Sequence, residues 1–233
     1  MHSLPIRIGI SRCLIGDSVR YDGANKYSKI CCTELSKGFQ LIPICPEVGA
    51  GLSVPRPPVE LIQHIDGTKV IGRDDSSIDV TDKLIRFFDS QVPVLNSLAG
   101  FVLTPRSPSC GLTTVPIKSP NGRLLSKTGN GFFTTSLINH FPYLPLIEEP
   151  FLADQRELLL FQIRVIFYYL IHQNILFCNQ FTEHVICDKL LTNIDVGDSK
   201  NKKMITLNTL LTGMNSEQLD PLLNILRERL NDK

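Results

Sequence analysis

The sequence predicts an α/β fold: a mostly parallel sheet with helices on both faces, followed by a small helical C-terminal region. Three observations predict it. Residues 6–10, 40–44 and 100–104 are short, continuous apolar runs, the pattern of strands covered on both faces. Helical patterns stand between them, at residues 28–36 and from Asp79 to about Gln91. After the proline-rich residues 142–150 the chain changes character and reads as helix to its end. The expected division is one domain over 1–149 and a helical region over 150–233.

In chain order, residues 6–10 form the first strand, and residues 11–23 a loop rich in Gly, Asp and Arg that carries Cys13. The helix at 28–36 closes at Gly38, a natural left-handed cap. Cys31 and Cys32 lie inside it with side chains about 100° apart, so they read as packing residues. Residues 40–44 are the second strand, ended by Cys45-Pro46-Glu47. The next stretch to Pro58 is an extended, preset loop. Arg56, between its prolines, is either a contact for substrate or an anion, or an exposed charge on a stiff loop.

Asp66-Gly67, between apolar segments, signals a hairpin within residues 61–71. Asp79 or Thr81 caps the following helix, with Leu84, Ile85 and Phe88 on one face. The third strand feeds the loop Ser107-Pro108-Ser109-Cys110-Gly111. Pro120-Asn121-Gly122 is a turn, residues 127–131 a flexible Gly-rich loop, and 132–140 a helix. Lys127-Thr128 lacks the order Gly-x4-Gly-Lys-Ser/Thr and is no phosphate loop. Residues 152–173 are apolar nearly all round, as in a buried helix. Residues 177–191, 206–211 and 217–230 complete the tail, with Cys178 and Cys187 as packing residues.

A chain of 233 residues suits one sizeable domain, or one domain with a small second one. A net charge of +1 gives no general reason to bind nucleic acid or a membrane surface. Residues 158–171 are the nearest approach to a membrane span. Gln162 and Arg164 interrupt them, and they fall short of the roughly 20 residues a span needs. The opening carries Pro5 and a strand-like run rather than a secretory signal. Seven unevenly spaced cysteines fit a reducing compartment, so a cytoplasmic location is expected. Nothing in the sequence sets the oligomeric state.

Cys13, Cys45 and Cys110 each follow one of the three strands. If those strands are parallel neighbours, their carboxyl ends face one crevice, where open α/β sheets place ligands. The three thiols then form a metal or iron–sulfur site. The alternative is three unrelated small residues that end strands, and no Cys-x-x-Cys pair stands against it.

An ordered set of short motifs adds to this: Ser11-Arg12-Cys13, Val19-Arg20-Tyr21-Asp22-Gly23, Cys45-Pro46-Glu47, Pro55-Arg56-Pro57-Pro58, Asp79-Val80-Thr81 and Ser107-Pro108-Ser109-Cys110-Gly111. Together, over residues 5–149, they resemble the 2-thiouracil desulfurase family. The resemblance implies a 4Fe-4S cluster held by Cys13, Cys45 and Cys110. Three thiolates leave one iron without a protein ligand, open to soft sulfur. It implies desulfuration of a thiolated pyrimidine, base or nucleoside, to the oxo form with release of sulfide. The chain departs from the family at Thr104, where the family carries lysine.

On that chemistry Glu47 is the candidate general acid or base, with Ser107 and Ser109 as hydrogen-bonding partners of substrate or cluster. Ser11, Arg20, Tyr21, Asp22 and Arg56 are candidate substrate contacts, although Arg20 and Asp22 could instead pair with each other. The expected partner is a small molecule. The alternative function is a non-catalytic metal-binding or interaction module that retains the fold.

Overall fold

The computed structural model of the protein describes residues 6–173 and 199–231. The expected strands appear as β1 (Arg7–Ser11), β2 (Gln40–Ile44) and β5 (Phe101–Leu103) of one sheet, in the order β2-β1-β5-β8, with every pairing parallel. β1 runs between β2 and β5, Ser11 opposite Ile44 and Ile10 opposite Val102. The fourth strand, β8 (Leu146–Glu148), lies within the proline-rich stretch read from sequence as a boundary. Three residues between prolines are too few to show a strand pattern, and pairing with β5 makes them one.

Both faces of this sheet are covered, and consecutive residues of β5 show how. Successive strand residues point to opposite faces. On one side the Phe101 ring meets Phe133 edge-on at 5.7 Å, and Phe133 meets Phe88 at the same distance. These rings come from α1 (Thr81–Leu95) and α2 (Phe132–His140). On the other side a Cβ on Gly100 would lie 2.6 Å from Val165 and 3.4 Å from the Phe161 ring, both on α3 (Gln155–His172). Glycine lets α3 seat directly on the sheet. Gly9 answers the same demand, since a Cβ there would lie 2.2 Å from the Phe101 ring.

A second four-stranded sheet, in the order β4-β3-β6-β7, extends the small β excursion expected around Asp66-Gly67. β3 (Val59–His64) and β4 (Gly67–Gly72) form the hairpin. β6 (Val115–Lys118) runs parallel to β3, and β7 (Leu124–Gly129) returns antiparallel to β6. β7 replaces most of the loop expected at 127–131. Its exposed, polar and Gly-ended sequence gives no strand signal, and its order comes from β6 alone. Leu61, Val70, Val80, Leu84 and Val115 make a separate small core between this sheet and α1. The N-cap position of α1 is Val80, not Asp79 or Thr81, but Asp79, one residue earlier, still accepts from the first helical N–H, Thr81 N, through Oδ1 at 2.9 Å, and the helix runs past Gln91 through Pro93 to Leu95.

Residues 31–35, expected to be α-helical, form a wider π turn that buries Cys31 and Leu35. In the C-terminal region α3 buries nearly all its side chains and packs on α4 (Lys200–Thr212) and α5 (Ser216–Asn231). Residues 177–191, with Cys178 and Cys187, lie outside the described residues. Among the described residues no helix is long and apolar enough to cross a membrane.

Because Phe161 is buried where α3 meets Gly100, Phe161→Ala should cost about 3–5 kcal/mol, the usual range for a buried Phe cut to Ala. Urea unfolding of the full chain measures it. A cost below roughly 1 kcal/mol, within the range of ordinary surface substitutions, would show that α3 is not held to the sheet by this contact.

Candidate functional site

The parallel order β2-β1-β5 places three carboxyl ends side by side, and the chain leaves each through a turn carrying one cysteine. Cys13 sits in a 3-10 turn, Arg12–Ile15, directly after β1. Cys45 follows β2 and caps the single turn Pro46–Gly49, whose Glu47 and Val48 N–H groups favour its thiolate. Cys110 ends the loop after β5. All three line one cavity of about 430 Å3. Cys31 and Cys32 do not line it; the Cys32 thiol points toward Leu14 O instead.

The Cys110 loop is clamped from behind. The first N–H groups of α2, which have no partner within the helix, donate to the loop: Phe132 N to Pro108 O at 2.9 Å and Phe133 N to Ser109 O at 3.0 Å. Thr134 Oγ1 donates to Cys110 O at 2.9 Å. Gly131 is required at this junction, since a Cβ there would lie 2.5 Å from the Ser109 carbonyl. On the far side the buried Glu148, at the end of β8, accepts from Leu112 N at 2.6 Å and from Thr114 Oγ1. Ser107 Oγ accepts from the N–H groups of Ser109 and Cys110 and so shapes the loop from within.

Glu47 stands 8% exposed beside Cys45. Its Oε2 accepts from Arg56 Nε at 2.8 Å and pairs with Nη2 at 2.7 Å, while its Oε1 accepts from the fully buried Ser109 hydroxyl at 2.8 Å. Arg56 also donates to Val19 O from Nη1 and Nη2, each at 3.1 Å. Its guanidinium is therefore committed to fixing Glu47, although it lines the cavity. Ser11 is buried in the wall and accepts from Thr104 N at 3.1 Å, with its hydroxyl placed to favour the Cys110 thiolate. Arg20 and Tyr21 line the cavity. Asp22 does not; it lies within 3.4 Å of Arg20 and accepts from Ala24 N.

Burial pushes the Cys13, Cys45 and Cys110 thiols above their ordinary value, Cys110 furthest, and a neighbouring thiolate adds to the rise at Cys13 and at Cys110. Thr104 ends β5 against Cys13, and its hydroxyl favours the Cys13 thiolate. Its Oγ1 is buried with no well-aligned partner. Cations reach the cavity from other loops. Lys26 lines it, tied by its N–H to Cys13 O at 2.9 Å, and Arg106 lines it from the next loop. Arg12, Arg20, Arg56 and Arg73 each pair with a carboxylate, whereas among the described residues Lys26 and Arg106 have none. Burial, then Arg20 and Arg106, lower the Lys26 pKa. Lys26 and Glu148 escaped the sequence reading because only the fold brings them here, whereas Arg106 adjoins the Ser107–Gly111 loop in the sequence itself.

Among the described residues no three His, Cys, Asp or Glu side chains gather closely enough to hold a single metal ion. The donor set is three soft thiols around a cavity, which suits a wider group held at separate corners.

The family model for 2-thiouracil desulfurase matches residues 8–149. The chain belongs to this family. A solved structure described as the 4Fe-4S-dependent thiouracil desulfidase TudS (DUF523Vcz) is similar at 28% identity, with a TM-score of 0.51, over 64% of this chain and 93% of that one. No curated protein matches. The family region thus covers both sheets and ends at β8, just before α3.

Two measurements test this geometry. The metal-free protein buries thiols that titrate above the ordinary 9.0, with Cys31 held up at about 12. Below pH 9 the thiols are protonated in folded and unfolded chains alike. Above it only the unfolded chain releases their protons, so stability should fall as pH rises from about 9 toward 12. A flat profile over that window, followed by chemical denaturation, would mean that the thiols are solvated.

Arg56→Met should cost about 3–5 kcal/mol by leaving Glu47 buried without its partner. Adding Glu47→Gln to that variant should recover much of the loss. Strictly additive costs in the double-mutant cycle would contradict the pairing.

Proposed function

We propose that the protein catalyses iron–sulfur-dependent desulfuration of a thiolated pyrimidine, 2-thiouracil or a thiouridine-like nucleoside, giving the oxo base and sulfide. The observation that carries this reading is the meeting of Cys13, Cys45 and Cys110 in one cavity with the clamped carboxylate of Glu47. The likeness to a 4Fe-4S-dependent thiouracil desulfidase supports it.

Cys13, Cys45 and Cys110 would hold a 4Fe-4S cluster, which supplies a Lewis-acidic iron with affinity for soft sulfur when bound. In the reaction the carbon–sulfur bond breaks, a water oxygen replaces sulfur on carbon, and sulfur leaves as sulfide, with no net oxidation or reduction. Glu47 takes the proton from that water. Arg56 and Ser109 hold its two oxygens in fixed orientation, and Oε1, with a single protein donor, keeps capacity to accept from a ligand. Arg56 and Ser109 act through Glu47, which refines the direct roles expected of them.

Lys26 and Arg106 meet the negative charge that develops on the departing sulfur. Arg20 and Tyr21 wall the ring, and Asp22 sets Arg20. Ser11 and Thr104 direct hydroxyls at the cysteine sulfurs, and Ser107 holds the Cys110 loop in shape. The cytoplasm is the compartment that suits these free thiols.

Anaerobic reconstitution followed by a thiouracil absorbance assay tests the reading. The expected result is about four irons per chain, the count of the cubane cluster, with sulfide released in step with loss of the thiocarbonyl band. Alanine at Cys13, Cys45 or Cys110 should abolish stable iron binding. Glu47→Gln should retain iron and lose roughly 10^2- to 10^4-fold in turnover, the usual contribution of a positioned acid or base. A chain that binds iron but releases no sulfide would favour the non-catalytic module.

A further inference from the structure

The loop between β5 and β6 holds two non-glycine residues in the left-handed backbone region, Arg106 and Thr113, each at φ 60°. A side chain there is strained, and such residues persist only where their surroundings hold them. Both are held by a bond from their own N–H. Thr113 N donates to Asn130 Oδ1 at 2.9 Å, and Arg106 N donates to Thr114 Oγ1 at 2.9 Å. The second bond ties residue 106 to residue 114 and closes the loop, with Cys110 midway along it.

Thr114 is supported in turn. Its hydroxyl accepts from Arg106 N and donates to Glu148 Oε1, the same oxygen that accepts from Leu112 N at 2.6 Å. Glu148 is 2% exposed, and no salt bridge joins it among the described residues. Burying a carboxylate without a cation is costly, but hydrogen bonds to it are roughly twice as strong as neutral ones. Its two donors lie on either side of the strained Thr113. Arg106 at the start of the loop and Cys110 in its middle line the cysteine cavity, and Glu148 itself does not. One carboxylate outside the cavity therefore supports, along two branches, a thiol and an unpaired cation within it.

We propose that Glu148 is a positioning residue of the cysteine site: through Leu112 N it fixes the Cys110 turn, and through Thr114 Oγ1 it fixes Arg106 at the cavity. The Arg106 branch rests on the desulfurase reading, in which that cation meets the charge on the departing sulfur. The Cys110 branch does not.

Alkylation of the metal-free full chain by iodoacetamide, read cysteine by cysteine, tests the Cys110 branch. Cys110 is buried, so its reaction reports local opening. Glu148→Met fills the space without accepting a hydrogen bond. It should speed alkylation of Cys110 roughly ten-fold or more, as expected when a buried, charged acceptor is lost. Cys31, wholly buried and away from the cavity, should react as in the parent. If Glu148→Met does not fold, Thr114→Val, which removes one of the two donors to the carboxylate, carries the same comparison. Equal acceleration at Cys110 and Cys31 would mean general loosening and overturns the proposal, as does no acceleration at Cys110.

Turnover of the iron-loaded chain tests the Arg106 branch. Arg106→Met should lower kcat roughly ten- to hundred-fold, as for a lost charge-assisted contact. Thr114→Val should lower it comparably with iron content unchanged, and Thr114→Ser, which keeps the hydroxyl, should retain the parent kcat. In the Arg106→Met background Thr114→Val should add no further loss. Losses that multiply overturn the link between them. A parent chain that binds iron but releases no sulfide overturns the desulfurase reading instead, and alkylation then decides the proposal alone.

Discussion

The parallel pairing of β1 with β2 on one edge and β5 on the other is the constraint on which the site depends. Parallel neighbours end at the same edge of the sheet, so three residues spread over nearly a hundred positions of sequence leave their strands side by side. The pairing itself depends on close packing at two glycines. Gly9 admits the Phe101 ring of the neighbouring strand and Gly100 admits α3, so a side chain at the first would crowd the β1–β5 pair and one at the second would lift α3 from the sheet. The sheet edge is thus set by the core beneath it, and the loops inherit their places from the edge.

Two electrostatic arrangements meet in the cysteine cavity. The thiols are buried and repel one another as thiolates, so the metal-free site favours protonated sulfur. A metal group that takes them as thiolates must displace those protons, which couples its binding to pH. Against this stand the cations. Four of the six that line the cavity are neutralised by carboxylates, and Lys26 and Arg106 provide positive charge close to the sulfurs. Thr104 contributes a hydroxyl, and Lys26 brings charge from the loop that follows Cys13.

A second cavity, between the desulfurase region and the helical tail, shares one structural part with the cysteine cavity. Glu148 lines the second and holds Leu112 and Thr114, next to the Cys110 loop that lines the first. The loop is gripped between this carboxylate and the start of α2 at Gly131. The tail therefore packs against the element that fixes Cys110, and its apolar α3 joins the same core as β5.

What the sequence determined by itself was whatever local pattern carries. The continuous apolar runs announced the three parallel strands, and the cysteine ending each announced the three thiols that line one cavity. Asp79 and Asp66-Gly67 announced a helix start and a hairpin, because both act on backbone groups within a few residues. Glu47 could be named from its place beside Cys45, but its partners could not, since Arg56 reaches it across a proline loop and Ser109 from another strand's end. β7 and β8 were hidden because their strand character comes from a neighbour rather than from their own side chains. Lys26 and Glu148 look like ordinary polar residues in the chain. Only the tertiary structure decided their roles, because burial and the presence or absence of a partner are properties of where the chain returns to itself.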